Sequence, residues 1–311
     1  MLKHRLLFGF LMIAALVGLI ALDDHLAEAL AGDPMPWLLI NVQHYAQDGV
    51  VVVCVLALLI VLGARELHRL CHAAGSAALF WIPTAVCLWL LVVPFIVRHG
   101  LLPNVSADIT DDYRISHTTF VGAIGAVFLG VMARRRTAGA TAAIGGSILM
   151  IVYLGLLPQY LVRLRMCAPS GAAWLLLYTI FVIKVCDIGA YFTGMMLGRH
   201  KLIEWLSPKK TIEGLAGGVA ASVGAAVGLV AAVKAWAPMR VHHAFPDLRT
   251  AAIFGLLAAL IGQTGDLVES LFKRDAAAKD SAHAIPAFGG VLDVLDSILL
   301  AAPVAYWLLI P

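Results

Sequence analysis

The chain is organised around residues 265–297, which read GDLVESLFKRDAAAKDSAHAIPAFGGVLDVLDS and lie between two apolar segments. If the segment leading into this stretch is helical, its polar side chains recur at the i, i+3, i+4, i+7 spacing of one helix face. These side chains are Asp266, Glu269, Ser270 and Lys273. Asp293 and Asp296 share a face of the next apolar segment in the same way. Four carboxylates are therefore predicted to point into one pocket, and their mutual repulsion predicts a bound divalent cation.

The direction of the preceding segment supports this prediction. A helix over 250–271 that runs towards the charged stretch has the negative end of its dipole there, where carboxylates are disfavoured. A bound cation would offset that field. The alternative is that nearby basic side chains neutralise the carboxylates without any metal, and the candidates are Lys273, Arg274 and Lys279.

The composition indicates a polytopic membrane protein. Hydrophobic residues make up 61% of the 311, charged residues make up 13%, and the mean hydropathy is +0.92. Soluble domains are about 45–50% apolar and about 25% charged. The net charge of +3, without a basic run interleaved with aromatic residues, argues against a nucleic-acid partner. The five cysteines are scattered without a CxxC pair, which argues against a disulfide framework or a zinc site.

Apolar windows long enough to cross a bilayer, about 20 residues each, predict an all-α fold of about nine spans. They fall at 6–22, 49–63, 77–97, 118–133, 141–161, 172–198, 214–237, 250–271 and 291–310. A signal peptide is the alternative for the first window, because a basic start precedes it. The acidic residues of two outer loops are predicted to be solvated loop charges: Asp23, Asp24, Glu28 and Asp33 in one, and Asp108, Asp111 and Asp112 in the other.

The distribution of basic residues predicts the orientation. With nine spans and a cytoplasmic N-terminus, 14 of the 22 Lys and Arg residues fall in cytoplasmic segments and six fall on the other side. Both charged motif loops, 199–213 and 272–290, then face the cytoplasm. The predicted location of the protein is the inner membrane. Residues 1–170 are predicted to be structural transmembrane helices, and residues 171–311 a catalytic transmembrane region.

The span at 172–198 carries two charges inside it. Lys184 and Asp187 are three residues apart on one helix face, with Tyr191 a turn beyond. Ionisable residues inside spans usually mark functional sites. The alternative is a salt bridge that only joins helices.

The loop after this span contains Ser207-Pro208-Lys209-Lys210-Thr211-Ile212-Glu213-Gly214 at the start of a glycine-rich helix. Two lysines beside the N–H groups of a helix N-terminus suit a polyphosphate. The loop lacks the GxxxxGK[ST] pattern of a P-loop, and topology alone could also account for its lysines.

Together these residues resemble the phosphatidate cytidylyltransferase (CDP-diacylglycerol synthase) family over roughly residues 180–300, and upstream only the many-span layout and Arg65-Glu66 are similar to it. The C-terminal signature is similar to Ser270-x-x-Lys273-Arg274-x4-Lys279-Asp280-Ser281…Pro286-x-x-Gly289-Gly290-x-x-Asp293-x-x-Asp296. Asp187-x-Gly-Ala-Tyr191 and the Ser207–Gly214 loop match two upstream motifs. Phe288 stands where the family usually has His, and Val294 where it usually has Arg.

The resemblance implies Mg²⁺-dependent transfer of the cytidylyl group of CTP to phosphatidate, in the bilayer, by an enzyme that is often a homodimer. It implies catalytic roles for Asp187, Asp266, Lys273, Lys279 and Asp293. It implies metal binding by Asp266, Glu269, Asp293 and Asp296. It implies substrate binding by Ser207, Lys209, Lys210, Thr211, Glu213, Ser270, Arg274 and Asp280.

Three alternative functions stay open from the sequence. One is another CTP-using lipid enzyme, such as a polyprenol kinase or a cytidylyltransferase for a different lipid phosphate. Another is a weakly active paralogue, suggested by Phe288 and Val294. The third is an ion-coupled transporter, which also carries carboxylates in glycine-rich spans.

Overall fold

The computed structural model describes residues 14–26, 49–102, 105, 109–167, 171–236, 243–278 and 289–310. Residues 14–26 form helix α1, and Asp23 is fully buried in it instead of being a solvated loop charge as predicted. The other helices are α2 (Val50–Ala73), α3 (Trp81–Arg98), α4 (Ile109–Met132), α5 (Ala140–Ile151), α6 (Gln159–Arg165), α7 (Ala172–Leu197), α8 (Ile212–Trp236), α9 (Leu248–Asp275) and α10 (Leu292–Leu309). A π-helical turn, Val152–Leu156, continues α5 towards α6.

The predicted all-α membrane fold is confirmed. Within the described ranges, eight helical segments are long and apolar enough to cross a membrane, with Ala140–Arg165 taken as one segment. These eight segments coincide with the predicted windows from 49–63 onwards. The first window, 6–22, begins among residues outside the described ranges, so the total of nine spans and the orientation stay predictions.

The chain divides into two compact units. Unit 1 comprises Met1–Arg163 and Phe272–Asp293, and unit 2 comprises Leu164–Leu271 and Val294–Pro311. The predicted division into structural and catalytic regions at residue 170 is a functional statement and stays a prediction.

Unit 1 has an apolar core contributed by α3 and the segment just before it, by α4 and by α5. Its buried members are Leu79, Leu90, Ala123, Val127, Val131, Ala143 and Ile151. Small side chains bring the backbones together beside this core. A Cβ atom placed on Gly146 would lie 3.1 Å from the Ala78 Cβ atom, and Ser147 Oγ accepts a hydrogen bond from Leu79 N at 2.8 Å. Close contacts through small residues are typical of membrane helix pairs.

A buried ion pair in unit 1 corrects one sequence prediction. Asp112 is not a solvated loop charge: it lies in α4, is 5% exposed, and accepts a hydrogen bond from Arg163 Nε at 2.7 Å. Arg163 Nη2 also donates to Gln159 Oε1 at 3.0 Å. The prediction failed because the partner comes from α6, 51 residues along the chain. A buried charge is tolerated when such a partner compensates it.

Helices α7 and α8 of unit 2 pack closely through glycines. A Cβ atom on Gly189 would lie 2.5 Å from Ala221 Cβ, and one on Gly217 would lie 2.0 Å from Thr193 Oγ1. Ser222 Oγ lies 3.1 Å from Val182 O and 3.0 Å from Gly255 O, so one buried hydroxyl links α8 to both α7 and α9.

The contact between α9 and α10 in unit 2 is a backbone contact. A Cβ atom on Gly265 would lie 2.4 Å from the carbonyl oxygen of Asp296 and 3.1 Å from Ser297 Cα. Any other residue at position 265 would therefore push the two helices apart. At the other end of α9, Thr250 N donates to Asp247 Oδ1 at 2.6 Å, which caps the helix and lowers the pKa of the Asp247 carboxyl.

The loop between α7 and α8 contains a short β-hairpin. Strands β1 (Lys201–Ile203) and β2 (Ser207–Thr211) pair antiparallel, with Lys201 opposite Thr211. Thr211 ends β2 and caps α8, because its Oγ1 accepts a hydrogen bond from Gly214 N at 3.1 Å. The hairpin therefore fixes the predicted lysine motif at the start of α8.

Candidate active site

Three carboxylates converge in unit 2. Asp266 and Glu269 come from successive turns of α9, and Asp296 comes from α10. One oxygen of each lies within 4.8 Å of the others. Glu269 is 1% exposed and Asp296 is 5% exposed, whereas Asp266 is half-buried. Three carboxylate oxygens at this spacing are a donor set that Mg²⁺ or another hard cation accepts.

Two lysines face this carboxylate trio. Lys210 from β2 places its Nζ atom 2.6 Å from Asp266 Oδ2. Lys184 from α7 places its Nζ atom 3.6 Å from Asp296 Oδ1 and 3.7 Å from Asp187 Oδ2. The lysines offset part of the repulsion among the acidic side chains. They are also the groups that a phosphate would meet beside the trio.

The formal charges of these side chains suit a divalent cation. Asp187, the trio and the two lysines are joined by the contacts just described. Counted at their formal charges, these six side chains carry two more negative than positive charges. An ion with two positive charges would balance them, and this agrees with the oxygen donor set. The residues of unit 2 therefore fit a Mg²⁺ ion.

Gln263 is a member of the site that the sequence analysis missed. Its Nε2 atom donates to Asp187 Oδ1 at 2.9 Å, and its Oε1 atom accepts from Lys210 Nζ at 3.0 Å. The side chain is 7% exposed. Because one end of the amide donates and the other accepts, Gln263 holds the Asp187 carboxylate and the Lys210 ammonium group in place at the same time. A neutral residue has no charge pattern in the sequence that could have revealed this role.

For the CTP-dependent reaction that the resemblance implies, we expect Gln263→Met to lower kcat/KM for CTP by on the order of tenfold, because both hydrogen bonds are lost while the volume is nearly kept. Gln263→Glu should lower it further, since it places a negative charge against Asp187. Initial rates at varied CTP concentration measure both effects. Thr264→Ala, at the exposed neighbouring position, is the matched control. Unchanged kinetics in Gln263→Met would contradict this role.

Asp293 lies in unit 1 and has its own partners there. Its Oδ1 atom accepts from Lys273 Nζ at 2.7 Å, and its Oδ2 atom accepts from Gly290 N at 2.7 Å. The Asp293 and Lys273 side chains are 15% and 14% exposed. These contacts fix the turn that precedes α10. The predicted metal-binding role of Asp293 and the predicted catalytic role of Lys273 stay predictions.

The same turn of unit 1 is held by a residue from α2. Glu66 is 3% exposed, and its two carboxylate oxygens accept from Val291 N and Leu292 N at 2.9 Å each. The first N–H groups of a helix have no hydrogen-bond partner within the helix, so a carboxylate placed there can accept hydrogen bonds from them. Its negative charge also interacts favourably with the positive end of the helix dipole. Glu66 therefore caps α10 from 225 residues away in sequence. No local capping motif could have revealed it.

Other predicted substrate-binding residues divide into two groups. Thr211 and Glu213 support the loop: Thr211 caps α8, and Glu213 accepts from Arg199 N at 3.1 Å and contacts His200 Nδ1 at 2.5 Å. The remaining described ones are accessible or half-buried: Ser207, Lys209, Ser270 and Arg274. Lys279, Asp280 and Phe288 lie outside the described residues. Val294 is half-buried in the first turn of α10.

Comparison with known proteins decides the family. The model of the cytidylyltransferase family matches residues 36–310. The chain belongs to the cytidylyltransferase family. A phosphatidate cytidylyltransferase of Synechocystis is 34% identical to this cytidylyltransferase, over 82% of this chain and 87% of the relative. A phosphatidate cytidylyltransferase of Bacillus subtilis is 29% identical, over 87% of this chain and 98% of the relative.

These matches confirm the resemblance and extend it. The sequence motifs covered roughly residues 180–300, whereas the family match begins at residue 36 and includes Glu66. The upstream helices, in which the sequence analysis found little chemistry, therefore belong to the same cytidylyltransferase. The alternative of a transporter is not supported.

Proposed function

We propose that this cytidylyltransferase joins CTP to phosphatidate, giving CDP-diacylglycerol and pyrophosphate. The observation that carries the proposal is the carboxylate trio of Asp266, Glu269 and Asp296 beside Lys184 and Lys210, in a protein with eight described candidate spans. The names of the Synechocystis and Bacillus subtilis relatives support the same substrate pair. A bilayer protein can reach a lipid phosphate without extracting the lipid.

The bond changes follow from the two substrates. An oxygen of the phosphatidate phosphate attacks the α-phosphorus of CTP, and a new phosphorus–oxygen bond forms. The bond from the α-phosphorus to the bridging oxygen of the β-phosphate breaks, and its electron pair leaves with pyrophosphate. The phosphate monoester is already largely ionised at neutral pH, so proton removal is a minor need. Repulsion between the two anions is the main barrier, and cationic groups lower it.

The side chains of unit 2 suit this task. Asp266, Glu269 and Asp296 would hold a Mg²⁺ ion, which supplies positive charge to phosphate oxygens when bound. Lys210 donates hydrogen bonds at the end of β2, next to the N-terminus of α8, where phosphates of CTP are favoured. Gln263 keeps Lys210 and Asp187 in place. The predicted roles of Lys273 and Asp293 in the reaction rest on the resemblance alone.

The proposal places the reaction at the cytoplasmic face of the inner membrane. The support is the excess of Lys and Arg, 14 against six, in the segments predicted to be cytoplasmic, which include both motif loops. CTP is a cytoplasmic nucleotide, so this orientation brings it to the lysines of the hairpin. A homodimer is also part of the proposal, from the resemblance alone.

The test separates this function from its nearest competitor by the position of the label. Purified protein in mixed micelles is given Mg²⁺ and CTP labelled at either the α- or the γ-phosphate, with phosphatidate, polyprenyl phosphate or polyprenol. We expect α-label in the lipid and γ-label in pyrophosphate, with phosphatidate preferred. A lipid kinase would put γ-label in the lipid and would contradict the proposal. Preference for polyprenyl phosphate would redirect the substrate assignment.

A further inference from the structure

We propose that Lys184 binds the phosphate of the membrane-embedded substrate, whereas Lys210 serves the nucleotide. The two lysines flank the carboxylate trio from different elements, one from the middle of a span and the other from a hairpin. Both offer the same chemistry to a phosphate oxygen. The assignment of one lysine to each substrate rests on the proposed function and on the depths of the two lysines.

The depths follow from the register of α7 against α8. Near the start of α8, Gly214 packs against Gly194 of α7. Further along, Gly218 packs against Cys186, and Ser222 Oγ bonds to Val182 O. Residue 184 is therefore level with residues 218–222, about 9–15 Å along α8 from its first residue at a rise of about 1.5 Å per residue.

Lys210 lies near the N-terminal end of α8, away from the level of Lys184. It precedes α8 by two residues, in β2, and its Nζ atom reaches Asp266 on the last turns of α9. Lys184 instead sits beside Ser297, one residue beyond Asp296 into α10. Lys184 is therefore the deeper of the two cations, and Lys210 is the one next to water-soluble substrates.

The ammonium group of Lys184 retains capacity for an anion. Among the described residues, the shortest contact of Lys184 Nζ is with Ser297 Oγ at 2.8 Å, whereas the carboxylate oxygens of Asp296 and Asp187 are 3.6 and 3.7 Å away. These two separations exceed a normal hydrogen-bond length. An ammonium has three donors, and 31% of the Lys184 side chain is exposed. A lysine that only neutralised a buried acid would be expected to contact it directly.

A lipid phosphate is the anion that suits this position. The phosphate of phosphatidate is tied to the bilayer by its acyl chains and approaches from the membrane side, whereas CTP approaches from water. A long lysine side chain within a span can extend towards the interface and meet such a headgroup. Charged side chains inside spans are costly, and a substrate contact accounts for that cost.

The test compares the two lysines by the substrate whose KM each one changes. In mixed micelles, Lys184→Met should raise the KM for phosphatidate by on the order of tenfold and leave the KM for CTP within about twofold. Lys210→Met should do the reverse. Lys184→Arg, which keeps the charge, should restore most of the phosphatidate affinity. Lys234→Met, an exposed lysine in the last turn of α8, is the matched control.

A binding measurement without turnover keeps this inference separate from the proposed function. Fluorescence anisotropy of a labelled short-chain phosphatidate, without CTP, should show weaker binding to Lys184→Met than to Lys210→Met. If the wild-type protein binds phosphatidate but does not consume CTP, the proposed function fails while the role of Lys184 stands. A rise in the KM for CTP alone would overturn the inference. Failure of both Lys184→Met and Lys184→Gln to fold would overturn it too, because Lys184 would then be structural.

Discussion

Asp266→Asn should lower kcat by a hundredfold or more, on the order of what one lost interaction with a reacting phosphate costs. The substitution keeps the shape of the side chain and removes its charge. The trio then loses one of its three carboxylates, and Lys210 loses its ion-pair partner at 2.6 Å. The first change should weaken Mg²⁺ binding, and the second should leave the Lys210 ammonium group less well positioned. Both therefore weaken the positive charge that the substrate phosphates would meet.

Initial rates at varied Mg²⁺ concentration measure the effect, and we expect half-maximal activation to move to higher Mg²⁺. Binding of Mn²⁺, followed by electron paramagnetic resonance, gives a second measurement that needs no turnover. Asp247→Asn is the matched control, because it makes the same exchange on α9 at an exposed cap, where asparagine serves equally well. Near-normal, Mg²⁺-dependent turnover by Asp266→Asn would refute the metal assignment.

Glu66→Ala should destabilise the protein by about 2–3 kcal/mol, since two N–H groups at the start of α10 lose a buried carboxylate partner. Activity should fall as well, because the turn that Glu66 holds also contains the N–H group that donates to Asp293 Oδ2. Thermal unfolding in detergent gives the stability, and rates at saturating CTP and phosphatidate give the activity.

Glu66→Gln separates the cap from the charge. Its amide oxygen still accepts one hydrogen bond, so we expect stability and activity between those of the wild type and Glu66→Ala. Glu204→Ala, in the exposed turn of the hairpin, is the control for loss of a glutamate. If Glu66→Ala unfolds at the wild-type temperature and keeps full activity, the cap has no part in holding the turn.

The spans were predictable because each has to be apolar over the thickness of a bilayer. The windows at 172–198 and 214–237 became α7 and α8 almost unchanged. The spacing of Asp266 and Glu269 likewise required only that α9 be helical. These predictions depend on local order in the chain, which composition and periodicity report directly.

The partners across the chain were not predictable. Lys184 and Asp187 were expected as a pair, but the contacts of Lys184 with Asp296 and Ser297 join residues more than a hundred positions apart. The hairpin was expected only as a loop. Glu66 and Gln263 act through hydrogen bonds to distant groups, which neither charge nor spacing records. The amino-acid sequence alone does not show which buried polar groups form hydrogen bonds with each other across the chain.

The absence of a side chain at Gly265 has a consequence for how the enzyme tolerates its surroundings. Because main chain meets main chain there, the separation of Asp266 and Asp296 is set by direct contact between the two backbones and not by flexible side chains. Changes in lipid length or tension that tilt neighbouring spans should leave that separation nearly constant. The same close contact restricts substitution at position 265, since even alanine there would require a shift of the opposing helix.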